Sequence, residues 1–267
     1  MANYNPLVIA AIVPIGGNKE VAQEMLRGVA QAQDNVNKKY LSDCINDETN
    51  KSIKDCNKGI KGKPLQVMIG NDDNNREIAV DIARYLIKEK KEILAVIGHN
   101  ASEVSTETAK EYQKGRLVMM TPTSFALDFN AISTQNNPRE NFIFSVAPNV
   151  EHIVPRLIEK MAEKYINKEA LEKPKIIICY DQYSFDQKIF RPAFLNYKKT
   201  IDGEDLSVID VLDIDCDFSE KLDIQKTFES GREQSADTLF LAPHVNKIGD
   251  TITVLKTIMQ DDRYKHI

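Results

Sequence analysis

The chain has 267 residues, of which 42% are apolar and 28% charged, with a net charge of −5. This is the balance of an ordinary globular protein, long enough for one large or two modest domains. The weak, dispersed negative charge argues against nucleic acid or an anionic membrane as partner, and no apolar run approaches the roughly 18–20 residues of a membrane span.

The start, MANYNPLVIAAIV, carries no charged leader and flows directly into periodic structure. The chain is therefore expected either to be intracellular or to begin after a leader was removed. The run LVIAAIV (7–13) is continuously apolar and β-branched, as in a strand covered on both faces, and it breaks at Pro14 and Gly16-Gly17. From Ala22, the residues Met25, Leu26, Val29, Ala32 and Val36 recur at helical spacing, which predicts a helix ending near Lys39. A polar insertion follows, and then a second strand, PLQVMIG (64–70). The turn Asn71-Asp72-Asp73-Asn74 precedes helical spacing at Ile78, Ile82 and Leu86, so its side chains are expected to cap that helix. The acidic pair also leaves a metal site open as the lesser reading.

The stretch from Ile93 to Phe125 supplies a strand (ILAVIGH), a small polar loop (NAS), a helix (EVSTETAKEYQK), a short strand (RLVMM) and the loop TPTSF. Strand and helix thus alternate, which predicts a parallel sheet with right-handed crossovers. Small polar residues at two strand ends mark the carboxyl edge, where doubly wound sheets bind ligands. His99 is expected to be structural, holding its loop by a backbone hydrogen bond.

After Phe125 the composition turns polar, and FIFSVAPN then resumes as a short strand. The lapse marks a crossing between domains, placed at 1–145 and 146–267. The second series reads as helix 150–166 with Pro155 near its first turn, strand KIIICY (175–180), and helix SFDQKIFRPAFLNYKK disturbed at Pro192. Next come strand LSVIDVLDI, helix DFSEKLDIQKTFES capped by Asp217 or Ser219, strand DTLFLAP (237–243), and a helix from Lys247 to Gln260. Tyr264–Ile267 looks like the beginning of another strand, so the second domain is expected to lack its last elements. The expected fold is α/β, with two doubly wound parallel-sheet lobes.

Of the four cysteines, Cys44 and Cys56 lie in the polar insertion, where a disulfide or two unpaired thiols are both open. Cys179, inside an apolar strand, is expected to be a core residue. No Cys or His spacing suits zinc, and no cofactor is implied.

The sequence resembles the type I periplasmic binding proteins, specifically the branched-chain amino-acid (Leu/Ile/Val-type) solute-binding proteins of ABC transporters and related receptor domains. The residues that carry the resemblance are LVIAAIVPIGG, RGVAQAQDNVN, the Asp pair of GNDDNN, VIGHNAS with RLVMMTPTS, FIFSVAPN and KIIICYDQYSF. It implies a non-enzymatic protein of two lobes that closes on a small, amino-acid-like ligand by a hinge motion, with ABC transporter membrane subunits as partners.

In that family two first-lobe loops hold the ligand carboxylate with hydroxyls and backbone N–H groups. The matching positions are Ala101 and Ser102 in one loop and Thr123, Ser124 and Phe125 in the other. A serine at a helix start suits an anion and equally suits a cap for its own helix, so both roles stand for Ser102. Phe125 occupies the place of the family's threonine hydroxyl, so either Thr123 or Ser124 substitutes or the ligand is not a simple α-amino acid. Phe185, with Tyr183 close by, matches the second lobe's aromatic wall, and the loop after DTLFLAP offers Pro243 and His244. His244 is open as a ligand contact or a plain loop residue, and Tyr180-Asp181 as a loop former or a cap. The family's acidic residue for a ligand ammonium would fall beyond Ile267, and its first aromatic contact matches Val21 or Ala22.

Extracytoplasmic solute binding is the leading functional reading. One alternative is the ligand-sensing part of a larger cytoplasmic signalling protein. A second is a nucleotide- or phosphate-using α/β enzyme, against which the chain lacks GxGxxG, GxxxxGK[ST] and GxSxG motifs.

Overall fold

The computed structural model describes residues 5–40, 59–125, 127, 132, 140–163, 173–185, 187–201, 204–219, 223–242 and 248–262. The chain divides into two compact units, Met1–Ala147 and Pro148–Ile267.

In the first unit the apolar runs become strands and the 3.6-residue repeats become helices. The order is β1 (Leu7–Val13), α1 (Lys19–Tyr40), β2 (Leu65–Asn71), α2 (Arg76–Glu89), β3 (Ile93–Ile97), α3 (Ser102–Gly115), β4 (Val118–Thr121) and β5 (Ile143–Ser145). The five strands form one parallel sheet in the order β2-β1-β3-β4-β5. Ala10 to Val13 are all buried, as two covered faces require. One register row, Met68, Ala10, Val96, Met119 and Ile143, packs with Ala83 and Leu86 of α2 and Ala109 and Tyr112 of α3. Each large side chain sealed there contributes about 1.5–3 kcal/mol.

The next row, Ile69, Ala11, Ile97, Met120 and Phe144, faces the opposite way; Ile69, Met120 and Phe144 are exposed there. Helix α1 is fastened to β2 by Asn37, whose Nδ2 donates to Leu65 O at 2.8 Å and whose Oδ1 accepts from Leu65 N at 2.7 Å. The α2 helix is capped by Asn75, whose Oδ1 accepts from Glu77 N and Ile78 N. The four-residue turn before it, expected to supply the caps, does other work described below.

The second unit contains α4 (Val150–Glu163), β6 (Lys175–Tyr180), α5 (Gln187–Asn196), β7 (Lys199–Ile201), β8 (Glu204–Leu206), β9 (Asp210–Val211), α6 (Ile224–Glu233), β10 (Thr238–Ala242) and α7 (Ile248–Gln260). A three-stranded parallel sheet runs β10-β6-β9, and β7 and β8 pair as an antiparallel hairpin. Its core gathers Ile177, Cys179, Cys216, Phe218, Phe228, Ala236 and Val254.

Four local expectations change here. LSVIDVLDI is not one strand: its first residue ends the hairpin, and only Asp210–Val211 pairs with β6. The helix read from Asp217 begins at Ile224 with Asp223 as its cap, because the Asp217 carboxylate is already engaged by Gln182 N and Ser219 N. Pro192 lies inside a continuous helix, which it was expected to disturb, whereas Pro155 sits near the start of α4 as expected. Cys179 is buried as expected, but not as a thiol: it forms a disulfide with Cys216. The Cys44–Cys56 question, Pro243, His244 and Tyr264–Ile267 all lie outside the described residues.

Candidate functional site

The site in the first unit begins where β3 ends. Gly98 has φ +143°, and a Cβ at that position would stand 2.3 Å from Ile12 O. A glycine lets the chain pass this closely over the end of β1. His99 thereby reaches across β1 to the loop after β2, where its Nδ1 lies 2.5 Å from Asp72 Oδ2. Both residues are fully buried. The other Asp72 oxygen accepts from Asn74 N at 3.0 Å, and His99 Nε2 lies 3.3 Å from the Tyr112 hydroxyl. Burial, with a further contribution from the Asp72 charge, pushes the Tyr112 phenol well above its ordinary range, so it is a neutral hydroxyl at physiological pH.

The His99 backbone carbonyl is a second hub. It accepts from Thr121 Oγ1 at 2.9 Å and Ser105 Oγ at 3.1 Å, with Ser124 Oγ at 3.5 Å. Ser124 Oγ also lies 2.6 Å from Ser105 Oγ and donates to Asn100 O at 3.2 Å. Thr123 Oγ1 donates to Asn100 O at 3.0 Å. The ties continue to both sides: Ser145 Oγ donates to Ser124 O, while Ile15 N and Gly16 N donate to Asn71 Oδ1 and Asp73 Oδ1. Asp72 and Asp73 therefore fasten neighbouring loops and leave the capping of α2 to Asn75. His99 does hold its loop through the backbone, and its ring adds the carboxylate contact.

The sequence-derived residues can now be placed. Ala101 is the N-cap of α3, and Ser102 is its first helical residue, buried at 4% exposure. The capping position expected for Ser102 thus belongs to Ala101, which has no polar side chain. The first helical bond runs from Ser105 N to Ala101 O at 2.9 Å. Thr123 and Phe125 are half-buried in the adjacent loop. Ser124 is buried at 1%, and its hydroxyl serves the internal network just described. Val21 and Ala22 lie in the first turn of α1, with Ala22 buried.

In the second unit, Asp181 organises the turn after β6: its Oδ1 accepts from Tyr183 N and its carbonyl from Ser184 N. Tyr183 projects from this turn at 79% exposure, and Phe185 is half-buried. Tyr180 borders a pocket of about 510 Å³ whose lining includes Gln182, Asp213, Asp215, Asp217 and Lys226. Its phenol is pushed up, first by burial and then by Asp217, while Arg191, 5.4 Å from the ring, opposes the shift.

A family model described as periplasmic binding protein matches residues 6–260. The chain belongs to this family. Among solved structures with the periplasmic-binding-protein fold, it is similar to an ABC transporter substrate-binding protein from Desulfitobacterium hafniense in complex with Leu. That comparison has a TM-score of 0.63 and 18% identity, over 94% of this chain and 63% of the other. The branched-chain amino acid transporter substrate-binding protein LivJ from Streptococcus pneumoniae, in complex with isoleucine, has a TM-score of 0.64 and 15% identity, over 96% and 62%. A solute-binding protein from Rhodopseudomonas palustris BisB5, in complex with 3,4-dihydroxy benzoic acid, has a TM-score of 0.58 and 12% identity, over 97% and 60%. The chain therefore spans about three fifths of the length of these structures. No curated protein sequence matches it.

For this periplasmic binding protein, Ala101, Ser102, Thr123, Ser124 and Phe125 share one sheet edge, whereas Tyr183 and Phe185 share a turn of the other unit. The sequence reading missed the Asp72–His99–Tyr112 chain. Its one available signal was a tyrosine on the apolar side of a helix whose preceding loop carries a histidine.

Proposed function

We propose that this chain is the ligand-binding part of a non-enzymatic solute-binding protein that delivers a small carboxylate, amino-acid-like in size, to an ABC transporter. The observation that carries the reading is the start of α3. The helix opens at the carboxyl edge of β3 on Ala101, which brings no side-chain cap, with Ser102 directly after it. A helix start of this kind favours an anion through its backbone N–H groups and dipole.

Ala101 and Ser102 are assigned to the carboxylate, Thr123 to a backbone contact and Phe125 to the apolar part of the ligand. Tyr183 and Phe185 are proposed as the second unit's contacts. Leucine, isoleucine and 3,4-dihydroxy benzoic acid, found in the related structures, all carry a carboxylate. The Phe125 side chain offers no hydrogen bond to a carboxylate and presents an apolar surface instead, which suits an apolar substituent on the ligand. An extracytoplasmic location is supported by the family and by the Cys179–Cys216 disulfide, since such bonds persist in oxidising compartments.

Isothermal titration of the chain with aliphatic amino acids, aromatic carboxylates and their amides tests this. Binding of an acid, absence of binding for its amide, and an affinity about tenfold lower in Ser102→Ala are expected. If no member of the panel gives heat with the unsubstituted protein, the reading is wrong for these ligands.

A further inference from the structure

We propose that Asp72 is a positioning residue for the ligand-binding edge, acting through His99 on the loop that starts α3. The inference rests on the reading of that edge as a carboxylate site, but its first consequence is measurable without any ligand.

The loop after β2 and the loop after β3 are not neighbours, because β1 lies between their strands. The close passage at Gly98 brings them together, and the contact made there is a fully buried carboxylate against a fully buried imidazole. Such a pair is costly to desolvate and costly to break, since removing one partner strands the other in the core. Asp72 is itself immobilised: its N donates to Val13 O, its Oδ1 accepts from Asn74 N and its carbonyl accepts from Asn75 N. It is a fixed point against which His99 is held.

What His99 holds in turn is the path of the next residues. A carboxylate oxygen 2.5 Å from Nδ1 places a hydrogen on Nδ1, and Nε2 lies within hydrogen-bond reach of the Tyr112 hydroxyl at 3.3 Å. With its ring pinned at both nitrogens, the His99 carbonyl faces Ser105, Thr121 and Ser124. Asn100 is bonded to Thr123, so Ala101 and Ser102 leave this anchored segment in a set direction. Asp72 thus determines where the α3 start points without touching it.

The test uses the whole chain carrying Asp72→Asn, His99→Ala or His99→Asn. Two readouts are followed: amide hydrogen exchange, and binding of leucine, isoleucine and 3,4-dihydroxybenzoate. Asp72→Asn and His99→Ala are expected to raise exchange at least tenfold over residues 99–105 and 121–124, with residues 175–180 unchanged. His99→Asn retains an N–H close to the Nδ1 position and is expected to restore exchange and affinity to within threefold of the parent. Tyr112→Phe removes one hydroxyl from the same chain, gives the pattern at smaller amplitude, and serves where Asp72→Asn does not fold.

Unchanged exchange over 99–105 overturns the proposal. So does a rise spread evenly over the first unit, which describes a merely structural role, or no difference between His99→Asn and His99→Ala. If the parent binds none of the three probes, the carboxylate reading falls and the exchange pattern alone decides the positioning role. If the parent binds and Asp72→Asn binds equally well, the positioning role falls and the carboxylate reading stands.

Discussion

Replacing Cys179 and Cys216 together with alanine is expected to destabilise the second unit by about 4 kcal/mol. The crosslink joins β6 to the segment after β9 across a sequence separation of 37. Closing a loop of that length removes about 13 cal/mol/K from the unfolded chain, or about 4 kcal/mol at 25 °C. Both sulfurs lie in the second core, so little solvation energy offsets the loss. For a unit of roughly 120 residues with about 2.1 cal/mol/K of unfolding entropy per residue, the midpoint falls by about 15 °C.

Scanning calorimetry of the unreduced parent and the double variant reads this directly, and it leaves Cys44 and Cys56 untouched in both proteins. The first unit's transition serves as the internal reference. A shift of the second transition by less than about 4 °C, equivalent to about 1 kcal/mol, would refute the reasoning. Free-thiol titration of both cysteines in the unreduced, denatured parent would refute the bond itself.

Three further outcomes follow from the first unit. The raised Tyr112 pKa means that its stabilising contribution is full below the unfolded value of about 10 and is lost as pH rises further, by about 1.4 kcal/mol per pH unit. Urea unfolding at pH 9 and pH 11 should therefore show a shallower alkaline loss in Tyr112→Phe than in the parent, and equal slopes would contradict the assignment. Gly98→Ala places a methyl group 2.3 Å from Ile12 O at φ +143° and should cost about 3 kcal/mol or more; a loss under 1 kcal/mol by denaturant unfolding would show that the passage over β1 is not tight. Asn75→Ala should cost about 1 kcal/mol and Asn75→Ser almost nothing, since only the side-chain oxygen on Glu77 N and Ile78 N is at stake.

Much of the fold was legible because the strands are apolar on both faces. LVIAAIV and KIIICY became β1 and β6 with their expected ends, since no other environment suits such runs. LSVIDVLDI misled because its alternation satisfies a strand pattern, while its first residue was taken by the β7 hairpin, a competition that periodicity does not register. The Cys179–Cys216 bond was hidden for a related reason: an apolar neighbourhood explains a cysteine equally well with or without a partner 37 residues away.

At the candidate site, the start of α3 at Ala101 and Ser102 was legible because a strand end followed by a helix start is a local pattern. Asp72 and His99 were not, because their meeting depends on a strand between them and on the missing Cβ of Gly98. Ser124 was read, with Thr123, as one of two possible substitutes for the hydroxyl that the family places at Phe125. Only the three-dimensional neighbours Ser105, Thr121 and Asn100 show its hydroxyl already bonded.

The hydroxyl group of residues around His99 O has a consequence of its own. Ser105, Thr121 and Ser124 bring three hydroxyl protons to six oxygen–oxygen approaches of 2.6–3.5 Å, so at any instant three of those approaches carry no hydrogen. The oxygens are locked by packing, yet the hydrogens have more than one way of being shared. Donor roles can therefore pass among these three hydroxyls by rotation of O–H bonds alone, with the heavy atoms left in place.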